Sequence, residues 1–196
     1  MASEEHCKYC FDVLSSYLTH APAPSPSFET DAQYPLFVTW NKRGAHGKFN
    51  LRGCIGCLQP LPLSYLKDYA LSSAFKDTRF PPVAAHELPH LQCTVSLLTD
   101  FEQAAHLDDW EIGVHGVRID FTDFRNQPRS AVYLPDVIPE QGWTKEETII
   151  SLVKKSGCTA RVTPELRDRI SLTRYKSTKC TVSYEKWRNA NSTPAG

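Results

Sequence analysis

The sequence predicts an α+β fold, a mainly antiparallel sheet flanked by helices. Segments with helical periodicity fall at 4–20, 63–75 and 144–156, and groups of short strand-like segments lie between them. Those strand-like segments follow one another closely, as in hairpins. A parallel βαβ arrangement would alternate them one for one with helices. The chain has 196 residues, 41% hydrophobic and 11% aromatic, enough to pack a core without disulfide or metal staples. One domain is expected, with a core from about 4 to 186 and a flexible tail over 187–196.

Residues 4–20 read as an amphipathic helix. Cys7, Phe11, Leu14 and Leu18 share a face, Ser3 is the N-cap, and Glu4 and Glu5 suit the positive end of the helix dipole. The Pro-rich stretch 21–27 ends this helix and stays extended. Residues 36–40 and 48–52 predict a hairpin, with Cys54 where the second strand runs out into a turn between Gly53 and Gly56. The second helix, 63–75, turns Leu63, Leu66, Ala70, Leu71 and Ala74 inward. Strands follow at 91–97, 111–114, 117–121 and 131–134, with a turn at His115-Gly116. Thr144-Lys-Glu-Glu147 is a capping box opening a helix that Gly157 stops, and Thr163-Pro164 starts a short one. Strands at 170–174 and 180–184 close the chain.

Twenty-two basic residues balance 22 acidic ones, which argues against a whole-molecule footprint for nucleic acid. The segment 161–188 is locally basic, with eight Lys or Arg against three Asp or Glu, which fits either a basic face that could meet nucleic acid or, more simply, a solvated strand edge. No apolar run approaches the ~20 residues of a membrane span, and the acidic start lacks a signal-peptide core. A cytoplasmic or nuclear protein, not a secreted one, is expected. Its seven cysteines are then reduced thiols, and the sequon Asn191-Ser192-Thr193 has no consequence.

Three motifs suggest chemistry that their context does not support. His86-Glu87-Leu88-Pro89-His90 has the zinc-protease spacing, but Pro89 interrupts the helical turn that would align two imidazoles. Cys7/Cys10 and Cys54/Cys57 are C-x-x-C pairs too far apart for a zinc knuckle, and no βαβ unit supports a dithiol centre. Ser73-Ala-Phe-Lys76 lacks the companion motifs of a serine acyltransferase. No metal and no cofactor are called for.

Leu51-Arg52-Gly53-Cys54-Ile55-Gly56 is the stronger candidate. Arg52 lies two residues from the thiol, where a cation can hold a thiolate or an anionic ligand. On residue chemistry alone, a packed turn of small residues also explains the hexapeptide.

This hexapeptide resembles the signature of the AMMECR family, named for a human deletion syndrome with Alport features, midface hypoplasia and elliptocytosis. The resemblance extends through Tyr34-Pro-Leu-Phe-Val-Thr-Trp40, Asp77-Thr-Arg-Phe-Pro-Pro82, Trp110-Glu-Ile-Gly-Val-His-Gly116, Glu140-Gln-Gly-Trp143 and Leu172-Thr-Arg-Tyr175. It covers about residues 10 to 184. It implies an α+β fold with a larger and a smaller lobe and a cleft between them, but no particular reaction. It also implies association with Memo-type and radical-SAM proteins. Cys57, His86 and His90 lie outside the shared motifs, which weakens the zinc and dithiol readings further. Inside them, Cys54, His115 and Glu111 are the expected catalytic residues. Arg52, Gly53, Gly56, Arg79 and Arg174 are expected to bind substrate or anion. The resulting expectation is an enzyme or small-molecule-binding protein centred on residues 51–56, or else an adaptor that docks a protein partner in the same cleft.

Overall fold

The computed structural model describes residues 1–22 and 24–191. The elements run α1 (Glu4–Thr19), β1 (Gln33–Arg43), β2 (Phe49–Pro62), α2 (Leu66–Phe75), β3 (Leu91–Gln103), β4 (Gly116–Thr122) and β5 (Pro128–Tyr133). They continue with α3 (Val137–Gln141), α4 (Lys145–Lys155), α5 (Pro164–Arg167), β6 (Ser171–Ser183) and α6 (Tyr184–Asn191). The strands hydrogen-bond in the order β2-β1-β3-β6-β4-β5, and the β1–β2, β1–β3, β4–β5 and β4–β6 pairs are antiparallel. This is the expected α+β architecture. Among the described residues, no helix is long and apolar enough to cross a membrane.

The chain divides into two compact units. One is Met1–Leu97 with the segment from Thr178 onward; the other is Leu98–Ser177. In the first, Leu36, Val38 and Trp40 of β1 alternate inward beside Val95 and Leu97 of β3 and pack under Phe11 and Leu14 of α1. Trp40 donates its indole N–H to the Ala70 carbonyl of α2 at 3.0 Å, which satisfies the one polar atom of a fully buried ring. In the second, Ile149, Leu152 and Val153 of α4 meet Val117 and Ile119 of β4 and Leu172 of β6. Thr144 caps α4 by accepting from the Glu147 N–H while Glu147 reaches back, as its motif predicts.

Four sequence expectations change. Cys54 does not sit in a turn: β2 runs unbroken through the hexapeptide. The glycines there signal close approach. A Cβ on Gly53 would lie 2.0 Å from the Ser73 carbonyl at the end of α2, and one on Gly56 would lie 2.2 Å from the Phe37 ring. Residues 111–114 are a turn rather than a strand, with Gly113 at φ +81° and the Glu111 carbonyl accepting from the His115 N–H. The two closing strands are one strand, β6, which leads into α6. Within α6, Trp187 is buried, stacks on Phe11 and donates to Asp12 Oδ1 at 2.7 Å. Residues 187–191, expected in the tail, are therefore helical. The rest of that stretch, most of the sequon included, lies outside the described residues.

The Gly53 contact gives a direct test. Gly53→Ala forces α2 away from β2 and lowers stability by roughly 2–3 kcal/mol, an overpacking cost. Urea denaturation measures it; an unchanged midpoint would show that α2 shifts freely.

Candidate functional site

The hexapeptide's side chains divide between the two faces of the first unit's sheet. β1 pairs with β2 as Trp40↔Gly53, Thr39↔Cys54, Val38↔Ile55 and Phe37↔Gly56, so Gly53 and Ile55 share the helix-packed face with Trp40 and Val38. Cys54 and Gly56 share the opposite face with Thr39 and Phe37. Between the pairs Trp40↔Gly53 and Asn41↔Leu51 the register shifts, and Arg52 is the unpaired, bulged residue. A regular strand would place Arg52 on the Cys54 face. The bulge turns it to the helix face instead.

On that face Arg52 is buried. Its Nε and Nη2 donate to Glu87 Oε1 at 3.0 Å and Oε2 at 2.9 Å, and its remaining bonds go to the carbonyls of Pro81 and Pro82. Glu87 also accepts from Lys42 Nζ and the Ala84 N–H, both at 2.9 Å. Burial works against its charge, but the bonds from Arg52, Ala84 and Lys42 outweigh it and hold the carboxyl at about 2. Arg52 thus anchors the segment after α2, with its donors committed.

Cys54 is half-buried on the other face. Its Sγ accepts from Thr39 Oγ1 at 3.1 Å. Its N–H donates to Asp77 Oδ2 at 2.8 Å, and its carbonyl accepts from Arg79 Nη2 at 3.4 Å. Asp77 and Arg79 form a fork: Arg79 Nε donates to Oδ1 at 2.9 Å and Nη2 to Oδ2 at 2.7 Å. That pairing, helped by the N–H groups of Cys54 and Arg79, holds the Asp77 carboxyl far below the usual carboxylate range. The amine of Lys179 titrates below an ordinary lysine because its neighbours desolvate it, although a Cys54 thiolate pulls the other way.

Of the expected residues, the structure brings Cys54 and Arg79 together and puts Arg52 behind them on the other face. Glu111, His115 and Arg174 belong to the second unit. There His115 Nδ1 accepts from the Glu111 N–H at 3.1 Å. Arg174 donates to Glu102 Oε2 at 2.8 Å and to Asp109 Oδ1 at 2.7 Å, which ties β6 to the segment after β3. Gly116 is required where it stands: a Cβ would lie 2.4 Å from the Tyr175 ring.

The weaker motifs resolve by geometry. Cys54 and Cys57 are three apart on one strand and face opposite ways; Cys57 points with Leu36 and interacts with Tyr69 of α2. Cys7 and Cys10 are fully buried beside Cys93, whose thiol burial pushes up. The zinc-like segment is the 3₁₀ helix Ala85–His90, its Glu87 taken up by Arg52 and its two histidines exposed. Ser73 is buried and bonded to the Tyr69 carbonyl at 2.8 Å. Among the described residues, no group of three or more His, Cys, Asp or Glu is placed to hold a metal ion.

Asp77 and Thr39 were not singled out from the sequence. Both lie in stretches that carry the family resemblance. Their nearness to Cys54 depends on strand pairing and chain return.

Fold and site together define an α+β protein with a half-buried thiol on an edge strand, its backbone gripped by an acid–arginine pair. The AMMECR1 family model matches residues 7–180, and the chain belongs to that family. An uncharacterised Arabidopsis thaliana protein is 51% identical over 188 residues, covering 95% of this chain and 87% of that one. One from Schizosaccharomyces pombe is 39% identical over 191 residues, covering 95% and 96%. The crystal structure of an uncharacterised Pyrococcus horikoshii protein shares the fold with a TM-score of 0.73 and 24% identity, covering 92% of this chain and 93% of that one.

The Glu87 carboxyl is ionised in the folded protein down to about 2, against 4.5 when unperturbed. A depressed carboxylate contributes stability above its unfolded value and loses it as pH falls. The Arg52–Glu87 contribution is therefore full above pH 4.5 and lost between 4.5 and about 2. Glu87→Gln removes that dependence and, by stranding a buried guanidinium, costs about 3 kcal/mol at neutral pH. Chemical denaturation of both proteins across pH 2–7 measures this; parallel curves would refute it.

Proposed function

We propose that the protein is an enzyme or small-molecule-binding protein that works through the Cys54 thiol. One observation carries the reading: Cys54 is half-buried, accepts a hydrogen bond from Thr39 at its sulfur, and has the exposed guanidinium of Arg79 on its own carbonyl. A cation beside a thiol draws anionic ligands to it. Asp77 acts as a positioning residue, since it holds both the Cys54 backbone and the Arg79 fork.

In this reading Arg79 binds the anionic part of the ligand. Arg52 drops out of the expected anion-binding set because it is buried under the helices, and Arg174 because it lies in the second unit, whereas Arg79 is exposed. Gly53 and Gly56 serve close packing rather than ligand contact. Glu111 and His115 lie in the second unit and take no part in this reading of Cys54. A cytoplasmic or nuclear location would keep the thiol reduced. Association with Memo-type or radical-SAM proteins follows from the resemblance alone.

Iodoacetamide labelling at neutral pH, mapped by mass spectrometry, tests the reading. Cys54 reacts about tenfold faster than the similarly half-buried Cys57. Arg79→Gln slows Cys54 and leaves Cys57 alone. Equal rates at the two thiols, or indifference to that substitution, sink the proposal.

A further inference from the structure

In the second unit, α4 borders a groove that the fold leaves open. Gly157 turns the chain off the end of the helix at φ +80°, and the Cys158 N–H bonds back to the Val153 carbonyl at 3.3 Å. Residues 158–163 then run without helix or strand to Pro164 of α5. Between this segment and α4 lies a groove of about 520 Å³, its apolar part formed by Ile150, Cys158 and Val162. Ile150 is 47% exposed, although its neighbour Ile149 is fully buried in the core. Glu146 and Lys154 line the groove from α4 and Arg161 from the facing segment, and all three are exposed. The other charges of α4 are spent within the fold: Lys145 donates to the Asp108 carbonyl, Glu147 caps Thr144, and Lys155 donates to the Val132 carbonyl. Among the described residues, Glu146, Lys154 and Arg161 have no ion pair and no side-chain hydrogen bond. The backbone groups of Thr159, Ala160, Arg161 and Val162 likewise make no backbone hydrogen bond among the described residues.

We propose that this groove docks an extended peptide of a partner protein, one that carries an apolar side chain between a basic and an acidic one. The charges set the spacing. Glu146 and Lys154 are eight residues apart on α4, which is about 12 Å along a helix. In an extended chain, residues i and i+4 point the same way and lie about 13 Å apart. A basic residue at i therefore meets Glu146 while an acid at i+4 meets Lys154. Residue i+2, on the same side of the peptide, falls over Ile150, which is midway between the two charges on the helix. Arg161 adds a second cation from the facing wall, so the groove as a whole prefers a partner with net negative charge. The open amides and carbonyls of 159–162 offer the peptide's own backbone something to bond with, which main-chain recognition of extended segments requires. A partner seated here covers an exposed isoleucine and pairs charges that the fold itself leaves without partners. The inference is independent of Cys54, which lies in the first unit.

Fluorescence anisotropy of two labelled heptapeptides with the full chain tests this. Both have isoleucine in the fourth position and threonine elsewhere; one carries lysine in the second position and aspartate in the sixth, the other the reverse. One of the two binds, which fixes the direction of the peptide. The same composition with lysine and aspartate side by side binds about tenfold more weakly. Ile150→Asp weakens binding about tenfold by removing the apolar anchor. Glu146→Lys weakens it about fivefold, and replacing the peptide's lysine with glutamate restores it. Both positions are exposed, and an unchanged melting temperature confirms that each variant keeps its fold. If neither peptide binds, if binding is indifferent to Ile150→Asp, or if the exchanged charges restore nothing, the proposal is overturned. Sedimentation of the full chain covers the remaining occupant: self-association that Ile150→Asp abolishes assigns the groove to a second copy and overturns the peptide.

Discussion

In β2 Arg52 stands between two cross-strand pairs with no partner of its own, and this extra residue sets the direction of the side chains around it. A strand has a period of two, so one inserted residue reverses the facing of everything on one side relative to the other. Here it puts Arg52 and Gly53 on the same face, under the helices. The guanidinium meets Glu87 there, and α2 comes to rest on Gly53. Cys54 is then the first residue of the motif on the other face, with Thr39 and Gly56. Removing the bulge would bring Arg52 out beside the thiol, leave Glu87 without its partner, and unseat the connector after α2.

That connector is what completes the site. β2 is the edge of the sheet, and an edge strand presents backbone groups without a strand partner. Asp77 takes the Cys54 N–H and Glu87 takes the Arg52 side chain, so the segment from 77 to 90 is clasped to β2 by two carboxylates on opposite faces. Both carboxyls are held low by their arginine partners, and the clasp depends on both being ionised. The edge is thereby blocked from pairing with another strand, and Arg79 is brought to the Cys54 carbonyl by the same contacts.

Much of this fold was legible from periodicity. The faces of α1 and α4, the caps at Thr144 and Thr163, and the strand at 91–97 follow from side-chain spacing and local hydrogen bonding. Glycine was the residue most often misread. Gly53 and Gly56 look like a turn because glycine permits one, yet each is small so that a carbonyl or a ring can lie against it within an extended strand. His115-Gly116 misled in the same way: Gly116 opens β4 beneath the Tyr175 ring. At the site, Cys54 and Arg79 were visible because they lie in recognisable motifs. Thr39 was not, because only the pairing of β1 with β2 brings its hydroxyl to the thiol.

The division between faces also bears on why one short motif mixes residues of such different character. Arg52 and Gly53 answer to burial: a guanidinium without its carboxylate, or a methyl against a carbonyl, is costly whatever the protein does. Gly56 answers to the ring of Phe37. Cys54 has no such obligation. Its sulfur is outside the buried core cluster, it accepts from the Thr39 hydroxyl, and its backbone bonds would be kept by any residue extended there. Packing therefore accounts for the hexapeptide at Arg52, Gly53 and Gly56 and leaves the thiol unexplained. The proposed function gives that sulfur a role that packing does not.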